Sequence, residues 1–200
     1  MPVKQCVCRE GSNHARLLPR YMEELLSFAR EQNLSIDAVA LSEGPGSYTG
    51  LRIGTSTAKG LCYGLNIPLI PIPTLTILNE AAKSSIEHRA SKIVLLPMID
   101  ARRMEIYTRI EGETKAVVVE SEAGLYQGNE EVYYFGDGAA KCQAVLTKPN
   151  WHYIPDIVPE AQFMGALAEQ ANAKSVDLAY YEPFYLKEFI AAQSHVKGLI

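Results

Sequence analysis

Leu41-Ser-Glu-Gly-Pro-Gly-Ser-Tyr-Thr-Gly-Leu-Arg-Ile-Gly54 decides the fold. Before it, the short apolar run Ala38 to Leu41 reads as a buried strand. After it, Leu51, Gly54, Ala58, Leu61, Cys62 and Leu65 recur at helical spacing, and Asn66 before Ile67-Pro68 ends the helix. A strand that runs through glycines into a helix aims free amides beyond the helix N-terminus, where phosphate is a common occupant. The stretch is neither the dinucleotide-binding G-x-G-x-x-G arrangement nor a Walker loop, since no Gly-Lys-Ser/Thr follows. Glycine serves equally well in a tight turn that lets a helix pack closely, so both readings stand. Gly46 and Gly50 are expected where φ is positive or backbones approach closely.

Upstream, Leu18, Tyr21, Met22, Leu25, Phe28 and Ala29 place one apolar stripe on a helix over 17–29, with Ser12 or Asn13 as its cap. Pro19 belongs in its first turn or marks a kink, and Asn33 suits its C-terminal end. Downstream, Leu69 to Ile72 reads as a strand and Thr74 to Ser85 as a helix capped by Thr74. This alternation predicts an α/β layer with parallel pairing.

After His88 the texture becomes strand-like: Ile93 to Ile99, Glu105 to Ile110 and Lys115 to Val119, with a turn at Asp100-Ala-Arg-Arg103. Val132 to Phe135 then leads into Gly136-Asp-Gly138 and a helix containing Lys141 and Cys142, a second strand, tight turn and helix unit. Ala161 to Ala173 reads as a helix, and Pro183 to Phe189 as a closing segment. A boundary near residue 90 divides the chain into an N-terminal lobe, 1–90, and a C-terminal lobe, 91–200.

With 200 residues, 48% of them apolar, the chain is long enough for one sizeable core or two small ones. No apolar run is long enough to span a membrane and no signal-peptide pattern opens the chain, so the expected compartment is the cytoplasm. Cys6, Cys8, Cys62 and Cys142 show neither repeated CxxC spacing nor a nearby histidine cluster, and read as buried or half-buried thiols. Net charge is −4 and basic residues are scattered, whereas an autonomous nucleic-acid binder carries a basic stripe. Any RNA contact is therefore expected to fall mostly to a partner.

Gly44-Pro-Gly-Ser-Tyr-Thr-Gly-Leu-Arg-Ile-Gly54 resembles the hallmark stretch of the TsaB family, with tyrosine at Tyr48 where phenylalanine is common. Asn13-His-Ala-Arg-Leu-Leu18, Ile70 to Leu75, Asp100-Ala-Arg-Arg-Met-Glu-Ile-Tyr107, Gly136-Asp-Gly-Ala139 and Tyr185-Leu-Lys187 resemble the same family in the same order. The resemblance implies an α/β, actin-like (ribonuclease H-like) fold of two lobes, related to the catalytic protein TsaD. It implies a non-catalytic accessory subunit that supports TsaD, with TsaE, in transferring a threonylcarbamoyl group to adenosine in tRNA. The expected partners are a TsaD homologue and a TsaE homologue, with tRNA reached only through the complex and a homodimer formed when the chain is alone. No cofactor, metal or catalytic residue is expected, and Gly44, Gly46, Ser47, Tyr48 and Gly50 form the glycine-rich loop. The alternative is a metallopeptidase-like or ATP-hydrolysing enzyme of the same superfamily.

TsaD-like relatives hold a metal through histidines four apart on one helix face. Here Leu18 stands four residues after His14, and His88, His152 and His195 have no histidine at that spacing. The pairs Glu23-Glu24 and Glu130-Glu131 read as solvated faces, and Asp100 and Asp137 as acidic caps of backbone amides in turns. Cys6 and Cys8 fall on one side of a strand over 3–8.

Family members also carry, before the Asn-His-Ala-Arg-Leu-Leu region, a strand with an acidic residue, Thr-Ser and a second strand, which this sequence does not show. The expected fold is thus that of the family with the first strands of its N-terminal lobe missing. A partner surface is expected on the helices beginning near Asn13 and Gly50, at Leu17, Tyr21, Leu51, Ile53, Ala58 and Tyr63, because both are more apolar than one sheet-facing stripe requires.

Overall fold

The computed structural model describes residues 2–8, 14–86, 92–170 and 175–187. Helix α1 spans His14–Glu31. It starts earlier than the apolar stripe suggests, so Pro19 falls in its second turn rather than its first, where the ring withholds an N–H from the carbonyl of Ala15. Asn33 takes a left-handed backbone, φ 53°, and the Leu34 N–H returns to the Ala29 carbonyl at 2.8 Å, so the helix ends as its sequence indicates.

Strand β1, Val39–Gly44, pairs in parallel with β2, Leu69–Pro73, and α2, Tyr48–Leu65, connects them. Asn66 closes α2 in the left-handed region. Helix α3, Thr74–Lys83, follows at once, but Thr74 does not cap it. Its hydroxyl lies 2.7 Å from the Ser42 hydroxyl and accepts the Gly44 N–H at 3.1 Å, because β1 passes beside the start of α3 and has an amide to satisfy.

The apolar run predicted over 93–99 divides into β3, Ile93–Pro97, and β4, Ile99–Asp100, which belong to different sheets. Antiparallel β5, Glu105–Ile110, and β6, Glu113–Val118, extend β4. Strand β7, Glu131–Phe135, lies between β3 and β8, Trp151–Ile154, with all three parallel. Chain transfer between the two sheets occurs at Met98, whose N–H donates to Phe135 and whose carbonyl accepts from Gly138 at 3.0 Å. Gly136, φ +104°, wraps this point so closely that a Cβ would lie 2.2 Å from the Met98 oxygen.

The helix expected after Gly138 is a single 3-10 turn, Ala140–Cys142. It cannot extend far, because the amides of Thr147 and Lys148 donate instead to the buried carboxylate of Glu122, and Cys142 and Leu146 are anchored in the core. The last helix begins as a 3-10 turn, Ala161–Phe163, and continues as α4, Met164–Gln170. Residues 2–8 form no strand, contrary to the reading of 3–8, since no neighbouring chain supplies ladder hydrogen bonds among the described residues. Ser12, Asn13, His88, His195, Phe189 and the end of the helix predicted to Ala173 lie outside the described residues.

The largest core joins β3, β5, β7 and the segments beyond them around Leu96, Met98, Ile106, Val132, Tyr134, Cys142 and Trp151. A second core seats α3 on Ile99, Phe135 and Ile157. Smaller cores lie under α2, around Ala58, Cys62 and Leu69, and under α4, around Ile72, Ile77 and Met164. Cys62 and Cys142 are buried and Cys6 is half-buried, but Cys8 is exposed, because it sits on a segment that forms no strand. No helix among the described residues is long and apolar enough to cross a membrane.

Candidate functional site: a glycine turn beside an apolar cleft

Strand β1 delivers the glycine turn to the start of α2. Gly44 is the position that demands glycine: its φ is +118°, and a Cβ there would sit 2.5 Å from the carbonyl oxygen of Phe184. The approach is real bonding, since the Phe184 N–H donates to the Glu43 carbonyl at 2.8 Å. Gly46 and Gly50 do not behave as expected. Neither has positive φ, and the nearest atoms to a Cβ, at 4.0 Å and 3.6 Å, are in ordinary contact, because Gly50 is already inside α2. Ser47 caps α2, its carbonyl taking the Leu51 N–H at 2.9 Å and its hydroxyl facing the Gly50 N–H at 3.5 Å.

What fills the close approach is the segment 175–187, which lies along the N-terminal layer. Val176 donates to Leu69, and the Lys59 ammonium donates to the carbonyls of Ala179 and Tyr181 at 3.3 Å and 3.1 Å. The ring of Tyr185 stands 5.1 Å from that of Tyr48, which in turn carries the Arg52 guanidinium. Lys187 pairs with Glu105 of β5. Burial under this strap pushes the Glu43 carboxyl above the usual carboxylate range, and burial and the charge of Glu43 push the Tyr181 phenol upward. The Tyr181 hydroxyl is buried without a hydrogen-bond partner among the described residues. No spacing rule in the sequence points to this contact; the step Gly44-Pro45 indicates a turn and no more.

Beside the turn opens a cleft of about 850 Å³. It brings together Gly46, Ser47 and Gly50 with four residues expected at a partner surface, Leu17, Tyr21, Leu51 and Ile53. Leu41, Ile99 and Ile157 complete the apolar walls. Two expected surface residues lie elsewhere: Ala58 is buried against the β1–β2 sheet, whereas Tyr63 is 84% exposed near the end of α2. Tyr48 faces the strap.

The charged groups of the cleft are Asp137, Asp156 and Glu160, and no lysine or arginine lines it among the described residues. A polyphosphate placed at the α2 N-terminus would meet like charge, so these residues do not fit the nucleotide that the fold class suggests. The tight-turn reading of the glycines is the one the geometry supports. Asp100 and Asp137 act as caps, as their sequence context indicates: Asp137 accepts the Asp100 N–H at 2.9 Å, and Asp100 accepts the Arg102 N–H at 3.1 Å. Burial raises the Asp100 carboxyl, but the Lys141 ammonium and the Arg102 amide outweigh it and hold the group below its ordinary range. Glu24, Glu130 and Glu131 bond to Lys4, Tyr126 and His152 respectively. No three His, Cys, Asp or Glu converge on a cation position among the described residues.

A family model described as TsaD, tRNA N6-adenosine threonylcarbamoyltransferase, matches residues 10–124. The tRNA threonylcarbamoyladenosine biosynthesis protein TsaB of Haemophilus influenzae is 41% identical over 191 residues, covering 86% of this chain and 78% of that protein. TsaB of Bacillus subtilis is 33% identical over 198 residues, covering 94% of this chain and 78% of that protein. In fold, the chain is similar to the solved structure of YeaZ from Pseudomonas aeruginosa, with a TM-score of 0.65 and 25% identity, covering 88% of this chain and 87% of that one. Two relatives, 41% and 33% identical and each matched over 78% of its own length, show that the chain belongs to the TsaB family.

Proposed function

We propose that this chain is the non-catalytic accessory subunit of a tRNA threonylcarbamoyladenosine-forming assembly, working in the cytoplasm with a TsaD homologue and a TsaE homologue. The names of its relatives and of the matching family model support that reading. The observation that carries the partner role is α1: Leu17, Leu18, Tyr21, Met22, Leu25, Leu26 and Phe28 are all only half-buried, although they form the apolar stripe of their helix. A stripe left half-covered by its own chain is a surface for another protein. Beside it, a groove of about 320 Å³ between α1 and α2 is lined by Met22, Leu26, Arg30 and Thr57. We assign this face to the catalytic homologue and, when that is absent, to a second copy of the chain, so the two associations compete. We take residues 1–90 and 91–200 as the two lobes of this subunit, with the strap running from the second along the first.

Co-purification with the catalytic homologue tests the assignment. The wild-type chain is expected to form a complex that elutes ahead of either protein, and Met22→Asp, in the groove between α1 and α2, to weaken both that complex and the homodimer with little change in melting temperature. A homodimer lost while the complex is untouched would refute the shared surface.

A further inference from the structure

The turn between β4 and β5 holds two consecutive non-glycine residues in the left-handed region, Arg102 at φ 76° and Arg103 at φ 49°. Each such residue is strained, and strain of this kind persists only where surrounding bonds over-determine it. Here they do. Ala101 N–H donates to the Glu105 carbonyl at 3.1 Å and Glu105 N–H to the Arg102 carbonyl at 3.0 Å. Asp100 accepts the Arg102 N–H and is itself fixed by Asp137. From beneath, the Lys141 ammonium bonds both ends of the turn, the Asp100 carboxylate and, at 2.6 Å, the Glu105 carbonyl.

The acids around the turn have other partners. Asp100 holds Lys141, Glu105 holds Lys187, and Asp137 holds a backbone amide. The two guanidinium groups are exposed and make no hydrogen bond or ion pair among the described residues, although the Arg102 charge acts on the Asp100 carboxylate. A rigid tip that presents two forks of donors is built for an anion with several oxygens.

We propose that the Arg102–Arg103 turn is a phosphate-backbone contact for RNA, made on the tRNA that the catalytic partner holds. The proposal rests on the tRNA-modification reading above. RNA is favoured over an acidic protein segment because residues 101–104 expose no large apolar side chain, whereas a protein interface needs an apolar centre. Phosphate recognition needs only charge and forked donors. With a net charge of −4, the chain contributes this contact to a complex rather than binding RNA alone.

The test replaces the pair by residues that accept positive φ, Arg102→Asn with Arg103→Gly, so that the turn is relieved while the charges go. A tRNA transcript is titrated into the chain mixed with its catalytic homologue, between about 50 and 200 mM salt. The expected result is an equal or higher melting temperature, an unchanged protein complex, tRNA binding about tenfold weaker at low salt, and a salt slope shallower by about 1.5, as for two lost phosphate contacts. The double variant Arg102→Lys, Arg103→Lys is expected to keep the wild-type slope. An unchanged slope in the Asn–Gly variant overturns the proposal, as does loss of the protein complex, which would place an acidic partner surface on the turn. Failure of the tRNA-modification reading shows separately, in a wild-type chain that does not join the catalytic homologue at all.

Discussion

Helices α1 and α3 are both amphipathic, yet they are used in opposite ways. Among its described side chains, the longer helix α1 buries only Ala29, while α3 buries Thr74, Leu75, Ile77, Leu78, Ala81 and Ala82. Helix α3 packs on Leu95, Ile99, Phe135 and Ile157, so its apolar face has a core on it. Helix α1 touches mainly α2 and the segment 2–8, where Lys4 pairs with Glu24 and sits over the Phe28 ring. Equal sequence patterning therefore does not mean equal burial, and this difference is the ground on which α1 is proposed as the helix of association.

The sharpest way to break that comparison is to truncate one leucine on each helix. Leu78→Ala is expected to lower stability by about 2–5 kcal/mol, as for a fully buried leucine, whereas Leu26→Ala on α1 is expected to lower it by about 1 kcal/mol. Denaturant melts of the two variants measure this, and equal losses would show that α1 is as well clad as α3. Leu26→Ala should in addition weaken the complex, which Leu78→Ala should not do once folded.

The glycine turn offers a smaller contrast of the same sort. Gly44→Ala is expected to destabilise by about 1–3 kcal/mol, because its φ is one that side chains avoid and its Cβ meets the Phe184 carbonyl. Gly50→Ala, inside α2 with room for a methyl group, is expected to stabilise by about 0.5–1 kcal/mol. Thermal melts that rank the two the other way would remove the strap from the explanation of the turn.

The smallest expected effect is a pH dependence at Glu43. Its folded-state pKa is raised by burial, so between the unfolded and folded values the native state binds more protons, and stability falls as pH rises through that window. At neutral pH Glu43→Gln should therefore melt higher than the wild type, and the advantage should shrink as the pH is lowered through the raised folded-state pKa. A constant difference at all pH values would mean that the charge of Glu43 plays no part.

Local features were legible where one residue settles the backbone. Asn33 and Asn66 end helices because asparagine tolerates the left-handed region, and Asp100 and Asp137 cap amides because their short carboxylates reach them. The strand and helix periods from residue 39 to residue 83 were readable for the same reason: side-chain alternation is a property of the local chain. Longer-range choices were not. Thr74 looked like a cap but serves β1, and Ile93 to Ile99 looked like one strand but serves two sheets, because each outcome depends on which distant segment arrives alongside. Gly46 and Gly50 looked like the strained glycines of the turn, while the strain sits at Gly44 because Phe184 approaches there from far along the chain. Composition and periodicity by themselves determined an α/β chain with a glycine turn between a strand and a helix. Only the tertiary structure decided which apolar stripe is covered and which is left open, since burial depends on a partner surface that no single segment contains.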